Sequence, residues 1–187
     1  QEHAELGNSV SSAGDVNGDG HADVIVGVWQ YGNGETKEGR AQVYLGTDMG
    51  LELSPNWVAE SDQEYAYFGS SVASAGGVNG DGYGDVVVGA YGYDNAESDE
   101  GAVFVYLGSA TGLSTSPDWQ EMSGIESAYF GWAVASAGDI NADGYSDIIV
   151  GAYAVNNEEG AAYVYLGSDQ GLKDTPYWTY GGDEEFV

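Results

Sequence analysis

The chain has no cysteine, so no disulfide framework reports an oxidising compartment, although exported bacterial proteins often do without one. Cations are nearly missing too. Lys37, Arg40 and Lys173 stand against 31 acidic residues, and the resulting formal charge of −28 repels phosphate backbones and anionic membranes. Nucleic acid is thereby excluded as a partner. The two histidines, His3 and His21, fall in no spacing that suggests a transition-metal site or an acid–base pair. There is no Gly-x-Ser-x-Gly elbow, phosphate loop or nucleophile beside a base, which argues against an enzyme. No apolar run is long enough to span a bilayer, and no signal peptide opens at Gln1, as expected of a processed, secreted chain that does not insert into membranes. A helical period is missing throughout.

What remains is repetition. Asp15-Val-Asn17-Gly-Asp19-Gly20-His21-Ala-Asp23 returns 62 residues later as Gly77-Val-Asn79-Gly-Asp81-Gly82-Tyr83-Gly-Asp85. It returns after 124 as Asp139-Ile-Asn141-Ala-Asp143-Gly144-Tyr145-Ser-Asp147. Each copy follows an apolar-Gly pair (Leu6-Gly7, Phe68-Gly69, Phe130-Gly131) and an alternating segment ending in Ser-Ala-Gly, which reads as a strand. Each precedes a β-branched run closed by glycine (Val24-Ile25-Val26-Gly27, Val86-Val87-Val88-Gly89, Ile148-Ile149-Val150-Gly151), expected of a strand buried on both faces. A third strand ends at Tyr44, Tyr106 or Tyr165. A Gly-Leu turn then leads to a fourth at Trp57, Trp119 or Trp178.

Four short antiparallel strands in about sixty residues predict an all-β chain of three β-propeller blades, over 6–67, 68–129 and 130–187. With 187 residues and 42% hydrophobic content, a real core is affordable despite the charge. In an up-and-down blade the loops alternate sides. The Asp/Asn loop and the Gly-Leu turn therefore share one face, while the variable second-to-third-strand loops occupy the other, free to diversify for ligands. Three blades do not close a ring, so a second copy, giving a six-bladed homodimer, or a longer parent chain is expected to complete it.

The loop chemistry points to calcium, about one ion per repeat. Calcium takes six to eight hard oxygens at about 2.3–2.6 Å, and a tight loop supplies them when alternate side chains turn inward. In the first copy these are Asp15, Asn17, Asp19, the His21 carbonyl and Asp23, with Gly20 turning the backbone. The third offers Asp139, Asn141, Asp143, the Tyr145 carbonyl and Asp147. The second has Asn79, Asp81, the Tyr83 carbonyl and Asp85, but Gly77 in place of the first carboxylate, so weaker binding is expected there. No Glu follows at position twelve and a strand follows instead of a helix, so this is not an EF-hand. A bare Asn/Asp/Gly turn is the alternative, which three copies in register disfavour. Three ions would bring the charge only to −28 + 6 = −22, so most of the acidity faces water. The metal supply outside a cell suits such loops.

On the other face Trp29, Tyr31, Tyr91, Tyr93, Asp94, Asn95, Trp132, Tyr153, Asn156 and Asn157 are candidate ligand contacts, able to stack on a partner and hydrogen-bond to it. Trp57, Trp119 and Trp178, by contrast, recur with proline two residues before, as packing residues do. Trp132 stands where the other repeats have Asn8 and Ser70, so no repeat-level packing rule explains it. Taken together, Phe-Gly, the Asp-x-Asn-x-Asp-Gly-x-x-Asp loop and Val-Gly-Ala-Tyr resemble the FG-GAP repeat of integrin α-subunit propellers and of bacterial secreted proteins. The resemblance covers nearly the whole chain. It departs where proline gives way to Trp29, Tyr91 or Tyr153. It implies calcium in the first loop of each blade, an extracellular setting, and adhesion to a cell-surface protein or glycan on the opposite face. A lectin, or a non-catalytic appendage of a secreted polysaccharide-acting enzyme, is the alternative.

Overall fold

The recurrence becomes three antiparallel sheets, seen in a computed structural model that describes residues 4–155 and 159–181, and the backbone of 184–186. The first contains β1 (Val10–Gly14), β2 (Asp23–Val28), β3 (Arg40–Tyr44) and β6 (Trp57–Glu60), in that order. Between β3 and β6 a two-residue-per-side hairpin, β4 (Gly46–Thr47) and β5 (Gly50–Leu51), forms the Gly-Leu turn. The second sheet runs β7 (Ser71–Gly76), β8 (Asp85–Ala90), β9 (Ala102–Tyr106) and β10 (Trp119–Met122). The third runs β11 (Phe130–Gly138), β12 (Asp147–Ala152), β13 (Ala161–Tyr165), β14 (Trp178–Gly181) and an added β15 (Glu184–Phe186). Sequential order with antiparallel neighbours is the up-and-down blade, and the all-β propeller architecture expected from the repeats is what forms.

Two cores lie between successive sheets. Ile25, Val43 and Trp57 meet Phe68, Val86, Val88, Phe104 and Tyr106 in the first. Val87, Val103, Val105 and Trp119 meet Phe130, Val134, Ile148, Val150 and Tyr165 in the second. Strand alternation sends Val86 and Val88 one way and Val87 the other, so every residue of β8 and β9 is buried. Burying Phe68 and Phe130 contributes on the order of 2–3 kcal/mol each.

Glycine sets how closely the sheets approach. Gly27 of β2 lies against the Gly69 carbonyl, and Gly89 of β8 against the Gly131 carbonyl, so closely that a methyl group on either would overlap the facing oxygen. Beside them, Gly39 and Gly101 form single parallel bridges to Phe68 and Phe130, whose amides donate to the Glu38 and Glu100 carbonyls at 3.0 and 3.1 Å. In the third sheet, a methyl group on the matching Gly151 would make only ordinary contacts with Ala133 among the described residues, the nearest its Cβ at 3.6 Å.

The two ends of the stack differ from its middle. Trp119 is 8% exposed under the third sheet, whereas Trp178 is 44% exposed and stacks on Tyr180, with centroids 5.8 Å apart. Tyr106 and Tyr165 are buried as the pattern requires, and Tyr44, on the outer side of the first sheet, is half-buried. Among the described residues no helix is long and apolar enough to cross a membrane.

The glycine contacts give a paired test. Gly89→Ala is expected to lose roughly 3 kcal/mol, the upper end of the cost of overpacking. Gly151→Ala, with ordinary van der Waals room, should stay within about 0.5 kcal/mol of the parent. Urea titration of both variants measures the contrast, and equal losses would refute the close-approach account.

Candidate metal loops and the aromatic face opposite them

Each Asp/Asn loop joins the first and second strands of its sheet and is wound by its own side chains. Asp15 Oδ1 accepts the Gly18 and Asp19 amides at 2.7 and 3.1 Å, and its Oδ2 accepts the Gly20 amide at 2.8 Å. Asn17 Oδ1 accepts the same Asp19 amide at 3.1 Å, which brings the oxygens of Asp15 and Asn17 to one point. Asp19 completes the circuit, accepting the Asn17 Nδ2 and the His21 amide, both at 2.9 Å. These hydrogen bonds, Asn17 first, hold the Asp19 carboxyl below its usual range. The third loop repeats the pattern. Asp139 accepts the Asp143 and Gly144 amides at 3.0 and 2.9 Å, and Asp143 is bonded to Asn141 and Tyr145 as Asp19 is to Asn17 and His21. In the second loop Asn79, Asp81 and Tyr83 keep their mutual bonds, while Gly77 offers no carboxylate to the amides that follow.

The closing aspartates sit apart from the rest. Asp23, Asp85 and Asp147 are buried, each with one oxygen accepting the amide that follows position one (Val16, Val78, Ile140) and the other accepting an amide after the third strand (Gly46, Gly108, Gly167). All six bonds measure 2.8 or 2.9 Å. These carboxylates therefore brace the loop to the Gly-Leu turn, a role the sequence pattern did not distinguish from ligation. A carboxylate oxygen keeps a second lone pair after one such bond. That loop and turn share a face is visible in His21 Nε2, 3.1 Å from Asp48 Oδ1. Successive loops also stack, since the rings of Tyr83 and Tyr145 lie where side chains on Gly18 and Gly80 would go.

At the opposite ends of β2, β8 and β12, aromatic rings form one continuous belt. Trp29 meets Tyr67 at 5.4 Å, and Tyr67 stacks on Tyr91 at 4.9 Å. Tyr91 meets Trp132 at 4.7 Å, and Trp132 stacks on Tyr153 at 5.1 Å. The belt crosses both sheet boundaries. Trp132 and Tyr153 are exposed, and a cleft lined by Asn8, Trp29, Ser70, Tyr91 and Trp132 opens beside them. Burial first, then the neighbouring Tyr67, Asp99 and Tyr129, pushes the Tyr91 hydroxyl up to about 12, so it is a neutral donor at any ordinary pH. Tyr67, which links Trp29 to Tyr91, and Tyr129, whose ring lies 6.2 Å from Tyr91 and 6.5 Å from Trp132, are the members sequence reading missed. They precede Phe68 and Phe130 directly, and that recurrence was the available signal.

The other candidates fall elsewhere. Tyr31 lies under Arg40, whose guanidinium carbon is 3.6 Å from the ring centroid, and Tyr93 packs against Phe104 at 5.6 Å. Asp94 accepts the Asp99 amide at 2.6 Å within its own loop, and Asn95 is exposed. Asn156 and Asn157 lie outside the described residues. Glu38, Glu60 and Asp62 bring carboxylate oxygens within 4.8 Å of one another, a cluster the spacing did not reveal, with Arg40 paired to Glu60 and the Asn33 amide bonded to Glu38.

Comparison with known proteins agrees with this layout. The FG-GAP repeat family model matches residues 6–44, 68–106 and 130–165. The chain belongs to the FG-GAP repeat family. It is similar to integrin alpha-5 of Xenopus laevis, 36% identical over 161 residues and 81% of this chain, and to integrin alpha pat-2 of Caenorhabditis elegans, 36% identical over 190 residues and 94%. Human integrin alpha-IIb is 36% identical over 159 residues, 81% of the chain. In each case the FG-GAP chain spans 15% of the relative's length.

Asp85 gives a pH test. Burial, helped by Asp81 and Asp118 and opposed by its two amide bonds, pushes this carboxyl up to about 6 from 3.8. Between those values the folded chain binds the extra proton and the unfolded chain does not, so in chelator stability rises as pH falls from 7 toward 4. Burial moves Glu38 and Asp99 the same way. The melting temperature should climb by about 3 °C more between pH 7 and pH 5 in the parent than in Asp85→Asn. Parallel curves would remove Asp85 as a cause.

Proposed function

We propose that this FG-GAP chain is an extracellular, calcium-stabilised, non-catalytic binding module, with blades at 6–67, 68–129 and 130–187, that engages a cell-surface partner through its aromatic face. One observation carries the reading. On the variable-loop side the Trp29–Tyr67–Tyr91–Trp132–Tyr153 belt forms a connected run of rings that spans all three sheets among the described residues. With 31 acids and three cations, the chain suits a partner presenting cationic or neutral groups to those rings. Lys37 Nζ, 5.7 Å from the Tyr67 ring centroid, supports a cationic contact to these rings. Cell adhesion to a surface protein is the leading form. A glycan ligand rests on the same rings, and the lectin and enzyme-appendage readings have no feature of their own.

Calcium is assigned to the first and third loops through Asp15, Asn17, Asp19, Asp23 and their equivalents, with the carbonyls of His21 and Tyr145. Crowded carboxylates repel until a cation joins them, so binding is linked to folding. The second loop holds its ion less tightly. Gly77→Asp is expected to raise the calcium affinity of that loop about tenfold, read by calorimetric titration as a third tight site, and an unchanged isotherm would refute the ligand assignment.

For the face, the double variant Trp132→Ser/Tyr153→Ser should weaken adhesion to cells or to immobilised extracellular-matrix protein at least about tenfold while leaving calcium binding and the circular dichroism spectrum unchanged. Full adhesion by that variant would move the ligand site elsewhere. A glycan array answering only the parent would transfer the assignment to sugar.

A further inference from the structure

Val16-Asn17-Gly18-Asp19-Gly20 and Val78-Asn79-Gly80-Asp81-Gly82 are the same five residues in the same order, in the first and second Asp/Asn loops. An Asn followed by glycine is open to loss of its side-chain amide, because a glycine nitrogen reaches the Asn Cγ with no Cβ in the way. In both loops the Asn side chain is held alike. Its Nδ2 donates to the Asp19 or Asp81 carboxylate at 2.9 Å, and its Oδ1 accepts the Asp19 or Asp81 amide at 3.1 Å, which polarises the Cγ carbonyl. The glycines match too, with φ of 73° and 70° and the ring of Tyr83 or Tyr145 where a side chain would go. One difference remains, and it falls on the nucleophile. The Gly18 amide donates to Asp15 Oδ1 at 2.7 Å, and the Gly20 amide to Asp15 Oδ2 at 2.8 Å, short bonds to a carboxylate acceptor. Gly77 has no side chain to offer, and among the described residues the Gly80 and Gly82 amides have no protein acceptor.

We propose that Asn79-Gly80 is a site of spontaneous deamidation and that Asp15 protects the identical Asn17-Gly18 from it. The Gly80 nitrogen forms a bond to Asn79 Cγ, the Cγ–Nδ2 bond breaks, and ammonia leaves carrying the Gly80 amide proton. Water then opens the cyclic imide. Opening at one carbonyl gives aspartate, and opening at the other gives isoaspartate, which puts one extra carbon into the main chain. Either product places a new carboxylate beside Asp81, in the loop that Gly77 leaves one carboxylate short. Gly18 makes the same attack only after giving up its bond to Asp15, which adds to the barrier. In the third loop Ala142 follows Asn141, and its methyl group crowds the approach.

Incubating the 187-residue chain in chelator at mildly alkaline pH, followed by chymotryptic peptide mapping, reads each position by the mass change from amide to acid. Asn33-Gly34, on the variable-loop side, falls in a separate peptide. Position 79 should convert at least about tenfold faster than position 17, the effect of a hydrogen bond to a charged group that must break before attack. In urea, where only the shared Val-Asn-Gly-Asp-Gly sequence acts, the two rates should converge. Gly77→Asp should bring position 79 down to the rate of position 17, and Asp15→Gly should bring position 17 up to that of position 79. The untouched loop of each variant keeps its parent rate and so reports that the chain is folded. Equal rates at the two positions in the folded chain overturn the proposal, as does a difference that persists in urea or survives Gly77→Asp.

Discussion

The contact of backbone against backbone at Gly27–Gly69 and Gly89–Gly131 governs the rest of this molecule. Side chains would hold the sheets farther apart. Without them the Phe68 and Phe130 rings reach the preceding sheet's core, and the Phe-Gly amides find carbonyl partners across the boundary. Spacing so set brings the Tyr83 and Tyr145 rings over the preceding Asp/Asn loop and links Tyr67 to Trp29 and Tyr91 at the other end. One constraint therefore arranges both faces, and glycine is the residue that allows it.

The fold was legible because its signals repeat. Apolar-Gly, Ser-Ala-Gly, the β-branched run and the Pro-x-Trp segment each recur in order, and a reading uncertain for one copy is decided by three. Boundaries were less legible: the apolar-Gly pair opens a strand only in the third sheet, at Phe130, whereas β1 and β7 begin at Val10 and Ser71. At Phe68 the chain instead makes a single parallel bridge to Gly39, a long-range contact that local alternation does not encode.

Site residues divide in the same way. Asp15, Asn17 and Asp19 converge through local turns of two to five residues, which spacing does encode. Asp23 needed the structure, because its second partner, Gly46, lies 23 residues on and exists only once the third strand has paired. Tyr31 and Tyr93 looked equivalent to Trp29 and Tyr91 in sequence. Their rings turn to Arg40 and to Phe104, since residues two apart on an irregular loop have no fixed common face. Trp132, which breaks the repeat, proved to join the belt between Tyr91 and Tyr153.

Loop and belt are joined by the second strand of each sheet. β2 begins at the bracing Asp23 and ends one residue before Trp29, and six residues of extended chain span about 20 Å. A cation at the loop therefore touches nothing at the belt, and its influence travels as order. Tying Asp23 to Val16 and Gly46 fixes where β2 starts against β1 and β3, and pairing register then fixes where Trp29 emerges. Because the ring contacts cross sheet boundaries, loosening one loop would displace a ring that two neighbouring sheets share. Under the proposed function, a metal at one end would serve binding at the other by holding the rings in place before a partner arrives, which would lower the ordering cost of association.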